Sequence, residues 1–220
     1  MAAATGFRGF PPEAIEFYEG LEVDNSKEYW LAHKEVYERA VRAPMEALLQ
    51  ELEPEFGAGR MFRPYRDVRF SADKSPYKTY AAGHMERGYL SLSADGLSVA
   101  EGLYMPAADQ LERFRRAVAD DKSGVELLRL KAQAEKAGLE VAGHEELKTA
   151  PRGYSKDHPR IDLLRQKGLI AWRQFAPGPS ISTKKAKDKV IKTLRDARPL
   201  VQWLDKHVGA SAMADEGRRR

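Results

Sequence analysis

Residues 89–104 read YLSLSADGLSVAEGLY and carry the clearest structural signal in the chain. Apolar and polar residues alternate on both sides of Asp95-Gly96, a dipeptide that is typical of tight hairpin turns. Alternation with a period of two is the pattern of a strand with one buried face. We therefore predict two antiparallel strands, one over residues 89–93 and one over residues 97–104.

Further strands are predicted on either side of this hairpin. Residues 80–86 read as a strand, and so do residues 61–70, although Pro64 interrupts the pattern. A later apolar run, residues 169–175, predicts another strand. The fold class is therefore α+β: an antiparallel sheet over about residues 61–104, plus the later strand, flanked by N- and C-terminal helices.

Helical periodicity dominates both ends of the chain. Pro11-Pro12 predicts the start of a first helix, and Asn25, with Glu28 three residues later, predicts the N-cap of a second. Pro44 is expected to break or restart that second helix. The last helix is expected to begin near residues 182–183, with an apolar stripe along one face. The stripe consists of Val190, Leu194, Ala197, Val201, Leu204 and Val208.

Composition bounds the class of protein. The 220 residues contain no cysteine, which excludes disulfides, thiolate catalysis and zinc fingers. The first residues lack a basic stretch followed by an apolar run, so a secretory signal is not expected. No apolar stretch approaches the roughly 20 residues that span a membrane. We expect a cytoplasmic protein with no membrane association. It is expected to form a single α+β domain over residues 10–208, between disordered ends at residues 1–9 and 209–220.

Charge is unevenly distributed along the chain. The formal net charge is +4, yet residues 13–55 carry −8 and residues 56–220 carry +11. Such an asymmetry indicates either an anion-binding face or two parts of the fold that attract each other. The sequence alone leaves both interpretations open.

Basic residues are densest in residues 66–78, which read RDVRFSADKSPYK. The segment follows a predicted strand and enters a loop, where binding groups are common. Arginine and lysine donate to phosphate or carboxylate, and a tyrosine ring stacks on planar groups. The candidate ligand-binding residues are Arg66, Arg69, Lys74, Tyr77 and Lys78, with Asp67 and Asp73 as candidates to orient them. The alternative is an ion-pair network in which the aspartates neutralise the arginines.

A second polar stretch, residues 148–160, is similar in kind and reads KTAPRGYSKDHPR. Its candidate ligand-binding residues are Lys148, Tyr154 and His158. An imidazole titrates near neutral pH, so His158 is also a candidate general acid or base, as is Asp73 in the first segment. The alternative for His158 is a cap of the short helix predicted to follow it.

Other kinds of site find little support in the sequence. The histidines lack metal-ligand spacing, and His84 with Glu86 alone makes a weak pair. No Walker loop or dinucleotide glycine pattern occurs. We therefore predict no metal and no cofactor. The last helix carries an excess of basic residues, which makes nucleic acid an alternative partner, and the oligomeric state is left open.

The segment 66–78 resembles the signature of a widespread family of conserved hypothetical proteins, domain of unknown function 2461. The resemblance covers roughly residues 8–208. It extends over Asn25-Ser26-Lys27-Glu28-Tyr29-Trp30, Tyr37, Gly102-Leu103-Tyr104-Met105-Pro106, Leu147-Lys148, Pro151-Arg152-Gly153-Tyr154 and Asp157-His158-Pro159. One departure is Tyr29-Trp30, where the family pattern has Trp-Phe. The resemblance implies a shared fold and no particular activity.

The leading functional hypothesis is the binding of a phosphate-bearing or other anionic small ligand. The pocket would be formed jointly by segments 66–78 and 148–158. One alternative is an enzyme that uses the same pocket, with His158 or Asp73 as general acid or base. Another is a nucleic-acid-binding protein that uses the basic last helix. A third is a purely architectural role for both polar stretches.

Overall fold

The computed structural model describes residues 6–69 and 73–213. The chain divides into two compact units, Met1–Val99 with Gln174–Lys192, and Ala100–Arg173 with Thr193–Arg220. The expected extent of one domain and the expected disorder of the two ends stay predictions. Residues 1–5 and 214–220 lie outside the described residues.

The helices of the first unit follow one another closely along the chain. They are α1 (Pro12–Val23), α2 (Lys27–Val36), a π-helical segment (Tyr37–Arg42) and α3 (Ala43–Phe56). Proline at the start of α1 fits the first helical turn, as predicted. The N-cap of α2 is Ser26, whose hydroxyl accepts a hydrogen bond from the Tyr29 N–H at 3.0 Å. The prediction of Asn25 as this cap is wrong, because the Asn25 amide bonds elsewhere.

Of the two predicted alternatives at Pro44, a break or a restart, the structure has the restart: Pro44 lies in the first turn of α3, and helical structure continues into it from α2. Proline has no N–H and cannot bond the carbonyl four residues earlier. The π-helical segment comes just before Pro44, and the proline itself occupies the first turn of α3. A π turn inserts one extra residue into the helix. The chain thereby passes the missing hydrogen bond without ending the helix.

The described residues contain one six-stranded antiparallel sheet, which confirms the α+β class. Its strands are β1 (Gly59–Met61), β2 (Tyr80–Met85), β3 (Tyr89–Ser93), β4 (Gly96–Tyr104), β5 (Glu140–Ala142) and β6 (Gly168–Phe175), in the order β1-β2-β3-β4-β6-β5. The predicted hairpin and the strand near 169–175 are confirmed. Gly96 has φ of 100°, a value that favours glycine at this turn.

The predicted strand over residues 61–70 is wrong beyond Met61. Beyond Met61, the Phe62 N–H still donates to Ala82 O of β2, and an isolated bridge joins Tyr65 to Tyr77, but residues 62–69 form no strand. Pro64 and Pro76 flank this bridge and have no N–H to donate, so the ladder cannot extend. Residue 70 lies outside the described residues.

In the first unit, β1 and β2 have one face against the helices and one face outward. A Cβ added at Gly83 would meet the Leu49 side chain of α3, and Ala81 and Met85, on the same face as Gly83, are buried. Because side chains alternate along a strand, Tyr80, Ala82 and His84 are on the opposite face. The cross-strand pair Arg60–His84 extends that outward face onto β1.

The second unit has its own core, built on α4 (Ala108–Ala119), α5 (Asp121–Lys136), α6 (Ile161–Arg165) and the later part of α7 (Lys185–His207). Buried residues of this core include Phe114, Leu127, Leu164 and Trp203. Arg160 is only 6% exposed, and its guanidinium donates to the last carbonyls of α4, Val118 O at 2.6 Å and Ala119 O at 2.7 Å. These carbonyls have no partner within the helix, so Arg160 completes the end of α4. In the described part of the chain, no helix combines the length and apolarity required to cross a membrane.

Candidate functional site

The segment before β2 is fixed at Tyr77. Two backbone hydrogen bonds, of 2.8 and 2.9 Å, flank its bridge to Tyr65. In this kind of bridge, the N–H and C=O of Tyr77 itself point away from Tyr65. The Asn25 side chain meets both groups: Tyr77 N–H donates to Asn25 Oδ1 at 3.0 Å, and Asn25 Nδ2 donates to Tyr77 O at 3.1 Å. The amide therefore takes the place of a neighbouring strand.

The Tyr77 ring is packed into the helical layer. It stacks on Trp30 of α2 with 4.3 Å between ring centroids and 7° between planes, and the two residues are 5% and 3% exposed. Trp30 also contacts Phe17 and Tyr37. Burial raises the pKa of Tyr77, and it raises the pKa of Tyr37 to about 12. Enclosed in this way, the Tyr77 ring presents little surface to a ligand, and its observed role is to anchor the segment.

The two arginines of the first polar segment each pair with a nearby aspartate. Arg66 forms a salt bridge with Asp73, and Arg69 donates to the two carboxylate oxygens of Asp67 at 2.9 and 2.6 Å. Hydrogen bonds from Ser75, with a contribution from Arg66, lower the pKa of Asp73 to about 2. Hydrogen bonds from Arg69 lower the pKa of Asp67 to about 2. Both carboxylates are therefore ionised at neutral pH, and Asp73 has no proton to donate there.

The two lysines of the segment have different surroundings. Lys74 is exposed, and its Nζ donates to a backbone carbonyl at 3.0 Å. Lys78 is half-buried, with its Nζ 5.5 Å from the ring centroid of Phe62 and 6.0 Å from that of Tyr80. Burial, and secondly the positive charge of Arg63, lower the pKa of Lys78. The Lys78 ammonium is thus held against two aromatic rings, near another cation.

The Phe62 ring is supported from behind by His84. The two rings stack with 5.2 Å between centroids and 25° between planes. Arg60 Nε donates to His84 Nε2 at 2.9 Å, so Nε2 is the acceptor in this pair. The Phe62 N–H donates to Ala82 O at 2.8 Å, which fixes Phe62 to the edge of β2.

These outward side chains form one surface, the Lys78 platform. It consists of Arg60, Phe62, Arg63, Lys78, Tyr80 and His84. Its three strong cations form no salt bridge with any carboxylate in the described residues, and the rings of Phe62 and Tyr80 are 38% and 40% exposed. Of these six platform residues, only Lys78 was predicted from the sequence to bind the ligand. The period of two that places Arg60 with Phe62, and Tyr80 with His84, is the signal for those four residues. Arg63 is assigned to the platform by the effect of its charge on the pKa of Lys78.

The second polar stretch lies in the second unit. Tyr154 is half-buried against the core of that unit, and Lys148 is exposed. The His158 Nδ1 accepts the backbone N–H of Arg160 at 3.0 Å, which shapes the turn before α6. The N-cap of α6 is Arg160, and no side chain of the described residues caps this helix, so the alternative that His158 caps it is wrong. Segments 66–78 and 148–158 belong to different units, so the pocket predicted to join them stays a prediction.

A second basic region of the first unit lies where α7 begins. A cleft of about 650 Å³ is lined by Arg8, Pro179, Ser182, Thr183, Lys184 and Lys185. The cleft lining contains no aromatic ring, so it offers ionic contacts without a surface for a planar group. Further along α7, Lys187 pairs with Glu51 at 2.8 Å, and Lys189 Nζ lies 5.2 Å from the Phe175 ring centroid. Two lysines of the basic helix therefore contact the protein itself, and its binding to nucleic acid stays a prediction.

Comparison with known proteins identifies the family. The model of the family described as conserved hypothetical protein (DUF2461) matches residues 13–203, and the chain belongs to this family. No curated protein matches the chain. Among solved structures, a conserved hypothetical protein from Pyrococcus furiosus matches with 13% identity and a TM-score of 0.37, over 76% of this chain and 97% of that one.

Proposed function

We propose that this member of the DUF2461 family binds a phosphate-bearing or other anionic small ligand on the Lys78 platform. The observation that carries the proposal is the state of Lys78. Its ammonium is half-buried and lies against two rings, with no described carboxylate as partner. A cation held in this way lacks the counter-charge that a bound anion supplies.

The lowered pKa of Lys78 supports the same reading. Burial removes water from the ammonium, and Arg63 repels it, so both effects disfavour the charged form. Two opposite charges about 4 Å apart near a protein surface attract by about 4 kcal/mol. A bound anion thus offsets both effects and raises the pKa of Lys78 again.

The residue types of the platform suit phosphate better than a lone halide. Arg60 and Arg63 supply planar forks of N–H donors, and Lys78 supplies a compact charge. Arg60 donates its Nε to His84, and the residue is exposed. Arg66 and Arg69, by contrast, each have an aspartate partner. The anion-binding role therefore moves along the chain from these two arginines to the platform.

The test is titration calorimetry of the full chain with tripolyphosphate at low ionic strength, comparing wild type with Lys78→Met. A hydrogen bond to a charged group contributes about 1.5–3 kcal/mol, so we expect binding to weaken by about 10- to 150-fold. Lys74→Met is the matched control, because it removes the same charge from an exposed lysine of the same segment.

Three results would overturn the proposal. The wild-type chain could fail to bind tripolyphosphate. Lys78→Met and Lys74→Met could weaken binding equally, which would indicate a diffuse effect of net charge. Finally, Lys184→Met, in the cleft at the start of α7, could abolish binding that Lys78→Met leaves intact. Circular dichroism of each variant checks that the fold is retained.

A further inference from the structure

We infer that the ligand of the Lys78 platform is a nucleoside phosphate, with its phosphate on Lys78 and Arg63 and its base on the exposed rings. This inference rests on the proposed function and adds the chemical class of the ligand. It is carried by the two aromatic rings, which anion binding alone does not require.

The rings of Phe62 and Tyr80 lie close enough to the Lys78 ammonium for one ligand to contact both the ammonium and a ring. Lys78 Nζ is 5.5 and 6.0 Å from the two ring centroids, and a phosphate oxygen bonds an ammonium at about 2.8 Å. A group attached to that phosphate therefore reaches over Phe62 or Tyr80. A sugar of nucleoside size bridges such a distance between phosphate and base.

The sheet presents these rings with a small residue between them. Phe62 is bonded to Ala82, and Tyr80 lies two residues before Ala82 on the same face of β2. Ala82 contributes only a methyl group to this face, and that residue is 3% exposed. The rings of Phe62 and Tyr80 are both more than a third exposed. The rings of Trp30 and Tyr77, which anchor the segment, are buried.

The Lys78 ammonium lies over these ring faces. A ring face carries partial negative charge and attracts a cation. Once a phosphate draws the ammonium towards itself, the ring face is left for another group. A nucleobase is planar and covers such a face well, because each of the common bases can stack on an aromatic side chain.

Phe62 is suited to stacking because it is already held in place. His84 stacks behind it, and the hydrogen bond from Arg60 to His84 Nε2 fixes that imidazole. A platform that is ordered before binding loses less conformational entropy when the ligand arrives. Arg60 therefore acts on the base indirectly, through His84 and Phe62.

The experiment compares ATP with tripolyphosphate, which carries the phosphates without the nucleoside. Stacking on an aromatic residue contributes enough for ATP to bind about fivefold to a hundredfold more tightly. In the double variant Phe62→Leu/Tyr80→Leu, the ratio of the two dissociation constants should fall towards one. Tyr104→Leu is the matched control, since it removes an exposed tyrosine of the second unit.

The outcomes separate this inference from the proposed function. Binding of tripolyphosphate with no gain for ATP overturns the inference and leaves anion binding standing. An ATP preference that survives the double variant also overturns it. Failure of both ligands to bind removes the proposed function itself.

A single-stranded oligothymidylate shares the base and phosphate chemistry and identifies the source. Tighter binding of the oligonucleotide than of ATP indicates a nucleic-acid strand, and equal or weaker binding indicates a free nucleotide. Both of these results support a nucleoside phosphate.

Discussion

Replacing Asn25 by alanine should destabilise the protein far more than the loss of a helix cap does. The Asn25 amide makes two hydrogen bonds, with the N–H and with the C=O of Tyr77. Tyr77 is 5% exposed, so water cannot readily replace the missing amide. The variant therefore leaves two backbone groups without a partner in a poorly hydrated place.

The magnitude follows from these two groups. A typical hydrogen bond contributes about 1 kcal/mol net, and an unsatisfied buried group costs about 1–3 kcal/mol. We therefore expect Asn25→Ala to lower the free energy of unfolding by about 2–4 kcal/mol. Loss of an N-cap hydroxyl costs about 1 kcal/mol, so Ser26→Ala, one residue away, should cost about that much.

The assay is urea unfolding followed by circular dichroism, with the slope of the transition compared between variants. Unchanged slopes allow the shift in midpoint to be read as a change in stability. If Asn25→Ala costs 1 kcal/mol or less, or less than Ser26→Ala does, then Asn25 is acting as a helix cap and the assignment to Tyr77 is wrong. The same variant should also weaken tripolyphosphate binding, because Lys78 directly follows Tyr77.

Three further predictions concern backbone strain and pH. Gly9 has φ of 109°, and an added Cβ would collide with the backbone just before α7. Gly178 has φ of 122° with open space around it. In thermal unfolding, we therefore expect Gly9→Ala to lower the free energy of unfolding by about 1–3 kcal/mol more than Gly178→Ala does. Equal losses of stability would exclude the collision. The hydrogen bond from Lys187 lowers the pKa of Glu51, so its stabilisation is present above the ordinary value of 4.5 and is lost as pH falls through the lowered pKa. In Glu51→Gln, the free energy of unfolding from urea titrations should therefore fall less as the pH is lowered below 4.5. The same dependence on pH as in the wild type would contradict this linkage. Because the pKa of Lys78 is lowered, tripolyphosphate affinity should begin to fall at a pH below that expected from the ordinary value of 10.5. Calorimetry between neutral pH and that value tests this, and an affinity that stays constant up to pH 10.5 would contradict it.

Much of the fold was readable from local pattern, because local pattern reports burial directly. The hairpin around Asp95-Gly96 was predictable, since alternation and turn chemistry agree there. The conformation of the residues before Tyr80 was not predictable, since it depends on the Asn25 side chain, which is far away in the sequence. Asn25 matches a capping pattern as well as Ser26 does, and only the position of Tyr77 in space decides between them. Sequence spacing cannot supply that position.

The candidate site was located only in part, for a related reason. Charge density pointed to Arg66 and Arg69, but density does not reveal which cations have an aspartate within reach. The platform residues Arg60, Phe62 and Tyr80 are spread across two strands, and the register that joins them comes from pairing. Lys78 lies in both the dense segment and the platform, and its role in binding stays a prediction.

The reach of the Asn25 contact has a consequence for the order in which the protein assembles. Asn25 and Tyr77 are separated by 52 positions in the chain. Contacts between such distant residues form late in folding, because the chain loses the entropy of closing a long loop before the contact can stabilise it. During synthesis, the first three helices emerge well before Tyr77 does. The Lys78 platform therefore reaches its final position only after those helices have docked. If the proposed tripolyphosphate binding holds, its affinity reports whether a variant has completed folding.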